Sequence, residues 1–221
     1  MSERSFIYRA PLPVYIVTSS PAPFPQTVCA AVPDLAPLVG RIVSGDQFDP
    51  DKAAGLKLAI RRMGLQPDQV VFIGDARSDL AAAKHVGCRF VYYVRDPESA
   101  DAEIPSEIPR ISRHGEFLSL GLENVLGVAY DFDGTIVGTV ALHEEAWRAA
   151  GERFGVAIPA EFLSFQMGKK NEEAAAWLLG AHYAEIGRAF IAVKEAFVAS
   201  NAHKATYFED FSDALAALIR A

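Results

Sequence analysis

The sequence is short of the features that mark secreted, membrane-embedded and zinc-stabilised proteins. It has two cysteines, Cys29 and Cys88, and no CxxC pair, which argues against a disulfide framework or a zinc site and favours a reducing compartment. No apolar run is long enough to span a bilayer, and the opening residues lack the apolar segment of a signal peptide. We therefore expect a cytoplasmic protein with no membrane partner.

Positive charge is also scarce. The 21 lysines and arginines are outnumbered by 28 aspartates and glutamates, which gives a formal net charge of −7. A nucleic-acid partner is not expected, because no basic patch is available to neutralise phosphates. The 221 residues, 51% of them hydrophobic and 22% charged, are typical of a globular protein with one large domain or two small ones.

The first half of the chain alternates short apolar runs with helical patterns. The pattern predicts the strands 13–20, 40–45, 70–75, 90–94 and 124–132, and the helices 51–64, 77–87 and 115–122. Strands rich in Val, Ile, Phe and Tyr that alternate with helices are typical of an α/β fold with a parallel sheet. The proline-rich segment 21–37 is predicted to be irregular, and 95–110 to be a surface connection.

The second half changes character after residue 139, where only helical patterns follow. These patterns predict a small helical domain over residues 138–205. Residues 1–137 and 206–221 are then predicted to form one α/β core around that insertion.

Two carboxylates follow the last predicted strand in the stretch YDFDGTIVGT. Asp131 and Asp133 flank Phe132 at the carboxyl end of the strand, which is the edge where open α/β sheets bind ligands. Such a pair suits Mg²⁺, which prefers oxygen ligands, and Gly134 would let the backbone turn closely around a bound group. An Asp-Gly pair between apolar runs is also typical of a β-hairpin, so that alternative stays open.

Other polar residues follow or face the predicted strand ends. Asp75 and Asp79 could complete an acidic metal site, or they could serve only to cap the next helix. Thr18 and Ser19 could bind an anion, or they could form an ordinary turn. Lys52 begins a helix, where a cation is unfavourable, which suggests that it faces an anion; a solvated lysine is the alternative.

Together these segments resemble the four motifs of the haloacid dehalogenase superfamily of phosphotransferases. DFDGTIV, VTSS, Lys52 ahead of its helix and GDARSD occur in the cyclic order of that family, but the acid pair comes last instead of first. The chain thus resembles a circular permutant of the phosphoglycolate phosphatase and β-phosphoglucomutase-like members. The resemblance implies a Rossmann-like core with a small helical cap.

The resemblance also implies roles for the site residues. Asp131 would be the nucleophile, Asp133 the acid and base, and Thr18 and Lys52 the groups that hold the phosphoryl oxygens. Mg²⁺ is the expected cofactor, and its ligands in this sequence would be Asp131, Asp133, Asp75 and Asp79. Dehalogenation is not expected, because the dehalogenases of the family lack an acid at the position of Asp133.

The expected function is that of a Mg²⁺-dependent phosphatase, which hydrolyses a small phosphorylated metabolite through an aspartyl-phosphate. Ser19 and Gly134 would contact the substrate in the core. Lys169, Lys170 and Asn171 would contact it from the cap, unless they form only an exposed helix start. A phosphomutase and a low-turnover phosphometabolite-binding protein remain alternatives, as do a monomer, a homodimer and a domain-swapped dimer.

Overall fold

The computed structural model describes residues 11–48, 51–166 and 169–220. Residues 1–10 of the predicted core therefore lie outside the described residues. The chain divides into two compact units. One runs to Gly138 and resumes at Tyr207, and the other is Thr139–Thr206.

The first unit is built on a six-stranded parallel sheet, in the order β2-β1-β6-β3-β4-β5. Its strands are β1 (Val14–Val17), β2 (Ile42–Val43), β3 (Val70–Gly74), β4 (Arg89–Tyr93), β5 (Arg110–Ile111) and β6 (Gly127–Tyr130). The predicted α/β class with a Rossmann-like sheet is confirmed. The short strand β5 lies at the end of the segment that was predicted to be a surface connection.

Helices accompany the sheet in the first unit and make up most of the second. Those of the first unit are α1 (Phe24–Ala31), α2 (Lys52–Met63), α3 (Arg77–Val86) and α8 (Asp210–Arg220), and those of the second are α4 (Val140–Phe154), α5 (Ala160–Phe165), α6 (Asn171–Leu179) and α7 (Tyr183–Ser200). Asp51 caps α2 by accepting a hydrogen bond from the Ala53 amide at 3.1 Å. Gly87 ends α3 in the left-handed conformation, with φ of 84°.

The segment 21–37 is more regular than predicted. It contains α1, whose first turn accommodates Pro25 because a proline there loses no intrahelical hydrogen bond. Phe24 packs edge-on against Phe132, with 6.0 Å between the ring centroids. The predicted helix 115–122 is a 3-10 helix over His114–Ser119.

The hairpin alternative for the Asp-Gly pair is wrong. Strand β6 is flanked in parallel by β1 and β3, and the strand that follows it, β7 (Val137–Gly138), pairs with β8 (Thr206–Tyr207) in a separate two-stranded sheet. The residues between β6 and β7 therefore form a turn at the edge of the sheet.

Apolar packing on both sides of the sheet fixes where its strands end. Strand β3 is buried along its whole length, and Phe72 lies in one core cluster with Leu56 and Leu80. Tyr130 is in register with Ile16 of β1 and Ile73 of β3. The residues that follow these three strands therefore emerge at one level of one edge.

The second unit has its own apolar core. Trp147 packs edge-on against Phe162 at 5.1 Å between ring centroids and lies 6.1 Å from the ring of Phe190. Gln166 accepts a hydrogen bond from the Trp147 indole at 3.2 Å. Among the described residues, none of the helices in either unit has the length and hydropathy needed to cross a membrane.

Candidate active site

The candidate site lies where the order of the strands in the sheet reverses. From the central strand β6, the neighbours on one side are β1 and β2, and those on the other are β3, β4 and β5. Such a switch point leaves a crevice at the carboxyl ends of the strands. Asp131 follows β6 there, and its amide donates to the carbonyl of Ile73 at 2.8 Å. Asp75 directly follows β3.

Three carboxylates meet at this edge around one ammonium group. Asp75, Asp79 and Asp131 each bring an oxygen within 4.8 Å of the others. The Nζ atom of Lys52 lies 2.5 Å from Asp79 and 2.7 Å from Asp131. The Lys52 side chain is only 12% exposed, so the alternative of a solvated lysine is wrong.

The charges in this cluster do not balance, and the pKa values reflect the excess of carboxylates. Burial, followed by the charge of Asp79, raises the pKa of Asp75 to about 7, against the opposing charge of Lys52. The same two effects raise the pKa of Asp131 well above its ordinary range. Burial alone would lower the pKa of Lys52, but contact with Asp131 and Asp79 raises it overall.

Asp133 is held beside this cluster by two hydroxyl groups. Thr18 donates to its Oδ2 atom at 3.1 Å and Ser20 donates to the same atom at 2.8 Å. Thr18 is fully buried and also accepts a hydrogen bond from the Ser20 amide at 3.0 Å. The predicted turn is therefore present at Thr18, and anion binding by this residue stays a prediction.

The turn after Asp133 brings a third hydroxyl to the cluster. Gly134 has φ of 82°, and a Cβ atom at this position would overlap the Asp75 carboxylate. The glycine thus permits both the backbone conformation and the close approach. Thr135, the next residue, is fully buried and donates from its hydroxyl to Asp75 Oδ1 at 3.0 Å.

Asp79 combines a helix-capping contact with its place in the cluster. Its Oδ2 atom accepts a hydrogen bond from the Ala76 amide at 3.1 Å, and Ala76 is the residue before α3. Asp75 lies one residue farther out, so the alternative that Asp75 caps this helix is wrong. A Cβ atom on Gly74 would overlap the Asp79 side chain, so the glycine leaves room for that side chain.

The remaining predicted residues lie elsewhere. Ser19 is exposed, and it is the neighbouring Ser20 whose hydroxyl reaches Asp133. In the helical unit, Lys169 pairs with Glu173 at 2.8 Å, and Asn171 accepts a hydrogen bond from Lys194 at 2.9 Å. Substrate contact by Ser19, Gly134, Lys169 and Asn171 stays a prediction.

Sequence reasoning missed three contributors to this edge of the sheet. Ser20 was adjacent to the predicted pair, and its presence in VTSS was a usable indication. Thr135 was visible in DFDGT but was given no role. His114, whose ring contacts the Thr135 carbonyl at 2.9 Å, stands in a segment with no motif and could not have been selected.

Comparison with known proteins finds a family similarity over part of the chain. Residues 8–87 match the family model described as haloacid dehalogenase-like hydrolase. This segment contains Thr18, Lys52, Asp75 and Asp79, and the sheet built around it is a Rossmann-like α/β sheet. Over this segment the chain is therefore similar to the haloacid dehalogenase-like hydrolases. Asp131 and Asp133 lie beyond the matched segment and join the site through the position of β6.

Relatives that match part of the chain include phosphoglycolate phosphatases. That of Escherichia coli (strain K12) is 38% identical over 79 residues, which are 35% of this chain and 31% of that protein. That of Salmonella typhimurium is 32% identical over 84 residues, 37% of this chain and 33% of that protein. The chain spans about a third of the length of the curated relatives it matches. No solved structure gives a significant match.

Proposed function

We propose that the protein is a Mg²⁺-dependent phosphatase that hydrolyses a small phosphorylated metabolite through an aspartyl-phosphate. The observation that carries the proposal is the buried Asp131 carboxylate, which contacts Lys52 and lies in a cluster with Asp75 and Asp79. The phosphoglycolate phosphatases among the relatives support the same class of substrate. Cys29 and Cys88 are both free thiols, which supports a place in the cytoplasm.

The donor set fits a hard divalent cation. It consists of carboxylate oxygens, which Mg²⁺ prefers. Burial, and after it the negative charge of Asp79, raises the pKa values of Asp75 and Asp131, and Lys52 does not fully offset this effect. Asp131, Asp75 and the backbone carbonyl of Asp133 would hold the ion, with Asp79 in support. When bound, Mg²⁺ neutralises charge on the phosphoryl oxygens and orients them for attack.

The chain's own residues carry the two chemical steps. A carboxylate oxygen of Asp131 attacks phosphorus, the bond from phosphorus to the alkoxide breaks, and Asp133 gives the alkoxide its proton. Asp133 then removes a proton from water, the water oxygen attacks the phosphorus of the aspartyl-phosphate, and the bond from phosphorus to the Asp131 oxygen breaks, which releases inorganic phosphate and restores the carboxylate. Thr18 and Lys52 hold the phosphoryl oxygens throughout, the electrostatic positioning that dominates phosphoryl transfer.

We also propose that the chain is a circular permutant. If β6 is counted as the first strand and the others follow cyclically, the sheet order reads 3-2-1-4-5-6, which is the order of Rossmann sheets. The amide of Leu12 donates to the carbonyl of Leu218 at 2.9 Å. The start of β1 and the end of α8 are thus adjacent, as a direct connection between them would require.

Hydrolysis of p-nitrophenyl phosphate tests the proposed function. We expect Mg²⁺-dependent release of phosphate that stops on chelation, and a loss on the order of a thousandfold in kcat for Asp131→Asn, since the amide cannot attack phosphorus. Asp68→Asn is the matched control, because Asp68 is exposed and should keep full activity. Equal activity of Asp131→Asn and the unaltered protein would refute the mechanism.

A further inference from the structure

A buried histidine outside the four motifs is hydrogen-bonded on both sides of its ring. His114 is fully buried, and its Nε2 atom lies 2.9 Å from the carbonyl oxygen of Thr135. Its Nδ1 atom lies 3.0 Å from Asp210 Oδ2, and the same oxygen accepts the His114 amide at 2.8 Å. Asp210 thus holds both the ring and the backbone of His114.

Aromatic rings fix the plane of this imidazole. Tyr93 stacks on it at 4.4 Å between centroids, Phe211 meets it edge-on at 5.1 Å, and Tyr130 lies at 5.9 Å. A ring packed in this way cannot rotate to find other partners. Its hydrogen bond to Thr135 is therefore a fixed part of the first unit.

The protonation of the ring is constrained at one nitrogen. A backbone carbonyl can only accept, so Nε2 must carry a hydrogen for the bond to Thr135 to exist. Burial lowers the pKa of His114, and the hydrogen bond to Asp210 opposes that shift. The Nε2–H tautomer and the imidazolium both donate to Thr135, but only the imidazolium also donates from Nδ1 to Asp210, and the Nδ1–H tautomer has no donor for Thr135.

Thr135 connects this histidine to the carboxylate cluster. Its carbonyl accepts from His114, and its hydroxyl donates to Asp75 Oδ1 at 3.0 Å. Thr135 thus accepts a hydrogen bond from His114 at its backbone and donates one to Asp75 from its side chain. The contacts form one path that runs from Asp210 through His114 and Thr135 to Asp75.

We propose that His114 is a positioning residue for Asp75. By holding the Thr135 carbonyl, it fixes the turn from which the Thr135 hydroxyl binds one carboxylate oxygen of Asp75, and it leaves the other oxygen directed for a cation. This role rests on the proposed function in so far as the cation is Mg²⁺. The positioning itself is a property of the cation-free protein.

The first test is made by NMR on the unaltered protein without metal. Histidine labelled with ¹⁵N should show that Nε2 of His114 carries a hydrogen at neutral pH. A ring protonated at Nδ1 alone would overturn the proposal, because the Thr135 carbonyl would then have no donor. This measurement tests the proposal even if a variant at His114 does not fold, because it uses the unaltered protein.

The second test follows the ¹³C signal of the Asp75 carboxyl group, which is identified by its loss in Asp75→Asn. We expect the signal to shift in His114→Phe, which keeps a ring but loses both donors, and in Thr135→Val. His114→Gln should restore part of the original position, since its amide can donate to Thr135. Phe211→Leu loosens the same aromatic packing and should lower the Tm without moving the signal.

Mg²⁺ titration by calorimetry adds the functional readout. The Kd should rise about tenfold in His114→Phe and in Thr135→Val, as for other groups that orient metal ligands. The double variant should show no more than the larger single effect, because both act through one path. An Asp75 signal unchanged in His114→Phe overturns the proposal. A lack of Mg²⁺ binding and turnover in the unaltered protein would instead count against the proposed function.

Discussion

Lys52 carries the positive charge that holds the carboxylate cluster together. Its ammonium contacts Asp79 and Asp131, both buried, and the third acid of the group, Asp75, also responds to its charge. Taking such a cation away leaves buried carboxylates uncompensated, which is more damaging than the loss of an exposed ion pair.

We therefore expect Lys52→Met to lower the free energy of unfolding by about 3–5 kcal/mol at neutral pH in the absence of metal. Phosphatase activity should fall as well, because the phosphoryl oxygens lose a counter-charge. Chemical denaturation with and without Mg²⁺ measures the effect, and Mg²⁺ should restore part of the stability. Lys57→Met, at an exposed position of α2, is the matched control. Equal stabilities of the two variants would contradict this account.

The residues of the cluster were predictable because each follows or faces a strand end that the apolar pattern itself located. Asp75, Asp131 and Lys52 meet as the spacing of the motifs predicts. The motif VTSS indicated that a hydroxyl contributes to the site but did not distinguish Ser20 from Ser19, and no motif indicated His114. Only the packing of the sheet determines which hydroxyl or imidazole reaches such partners.

At the scale of elements, the turn between β6 and β7 depends on the glycine at position 134. Gly134 combines a left-handed backbone with close approach to Asp75. Gly87, at the end of α3, has a similar φ of 84° but no heavy atom within 4 Å of the place of a Cβ. A comparison of the two glycines therefore separates the effect of backbone strain from that of steric overlap.

Both Gly134→Ala and Gly87→Ala should lose about 1–3 kcal/mol of stability from backbone strain. Gly134→Ala alone should weaken Mg²⁺ binding, because the new methyl group displaces the Asp75 carboxylate. Thermal unfolding and calorimetric Mg²⁺ titration of the two variants measure the two effects. A Gly134→Ala protein with unchanged Mg²⁺ affinity would show that Asp75 does not need its present position.

The long elements were predictable, and so was the short strand β2, but other short elements were not. Strands β1, β3, β4 and β6 are continuous apolar runs, and α2 and α3 show helical periodicity with a glycine after the last residue. Strands of two residues, such as β5 and β8, carry no periodicity that distinguishes them from a loop. Helix α1 is not predicted because a proline-rich segment is typical of irregular structure, whereas Pro25 lies in the first turn of this helix.

At the scale of the whole molecule, the central strand of the sheet, β6, comes last of the six in the chain, and a rearranged chain can place it first. We expect a rearranged chain to fold with the same sheet and keep its activity if residues 12 and 218 are joined through a short linker. It would open in the exposed connection 121–124, so that β6 comes first. Circular dichroism and phosphatase assays measure the outcome, and an unfolded product would contradict the proposed permutation.

Mixing two inactive variants tests whether one chain completes one site. Asp75 precedes the central strand and Asp131 follows it, so a domain-swapped dimer of Asp75→Asn and Asp131→Asn would contain one intact site. We expect no recovery of activity after joint refolding, because the structure brings both carboxylates together within a single chain. Recovery, with a dimer mass by light scattering, would establish the swapped arrangement.

The place of β6 in the sheet also affects how the protein is made. On the ribosome, β1 and β3 are synthesised long before Tyr130, yet both pair with the strand that Tyr130 ends. Until then the sheet lacks its central strand, and the edges of β1 and β3 that will pair with it have unpaired backbone groups. Strand pairings between residues this far apart in sequence form slowly and leave aggregation-prone strand edges exposed. We therefore expect nascent chains to be most prone to aggregate before β6, the strand that precedes Asp131, has been synthesised.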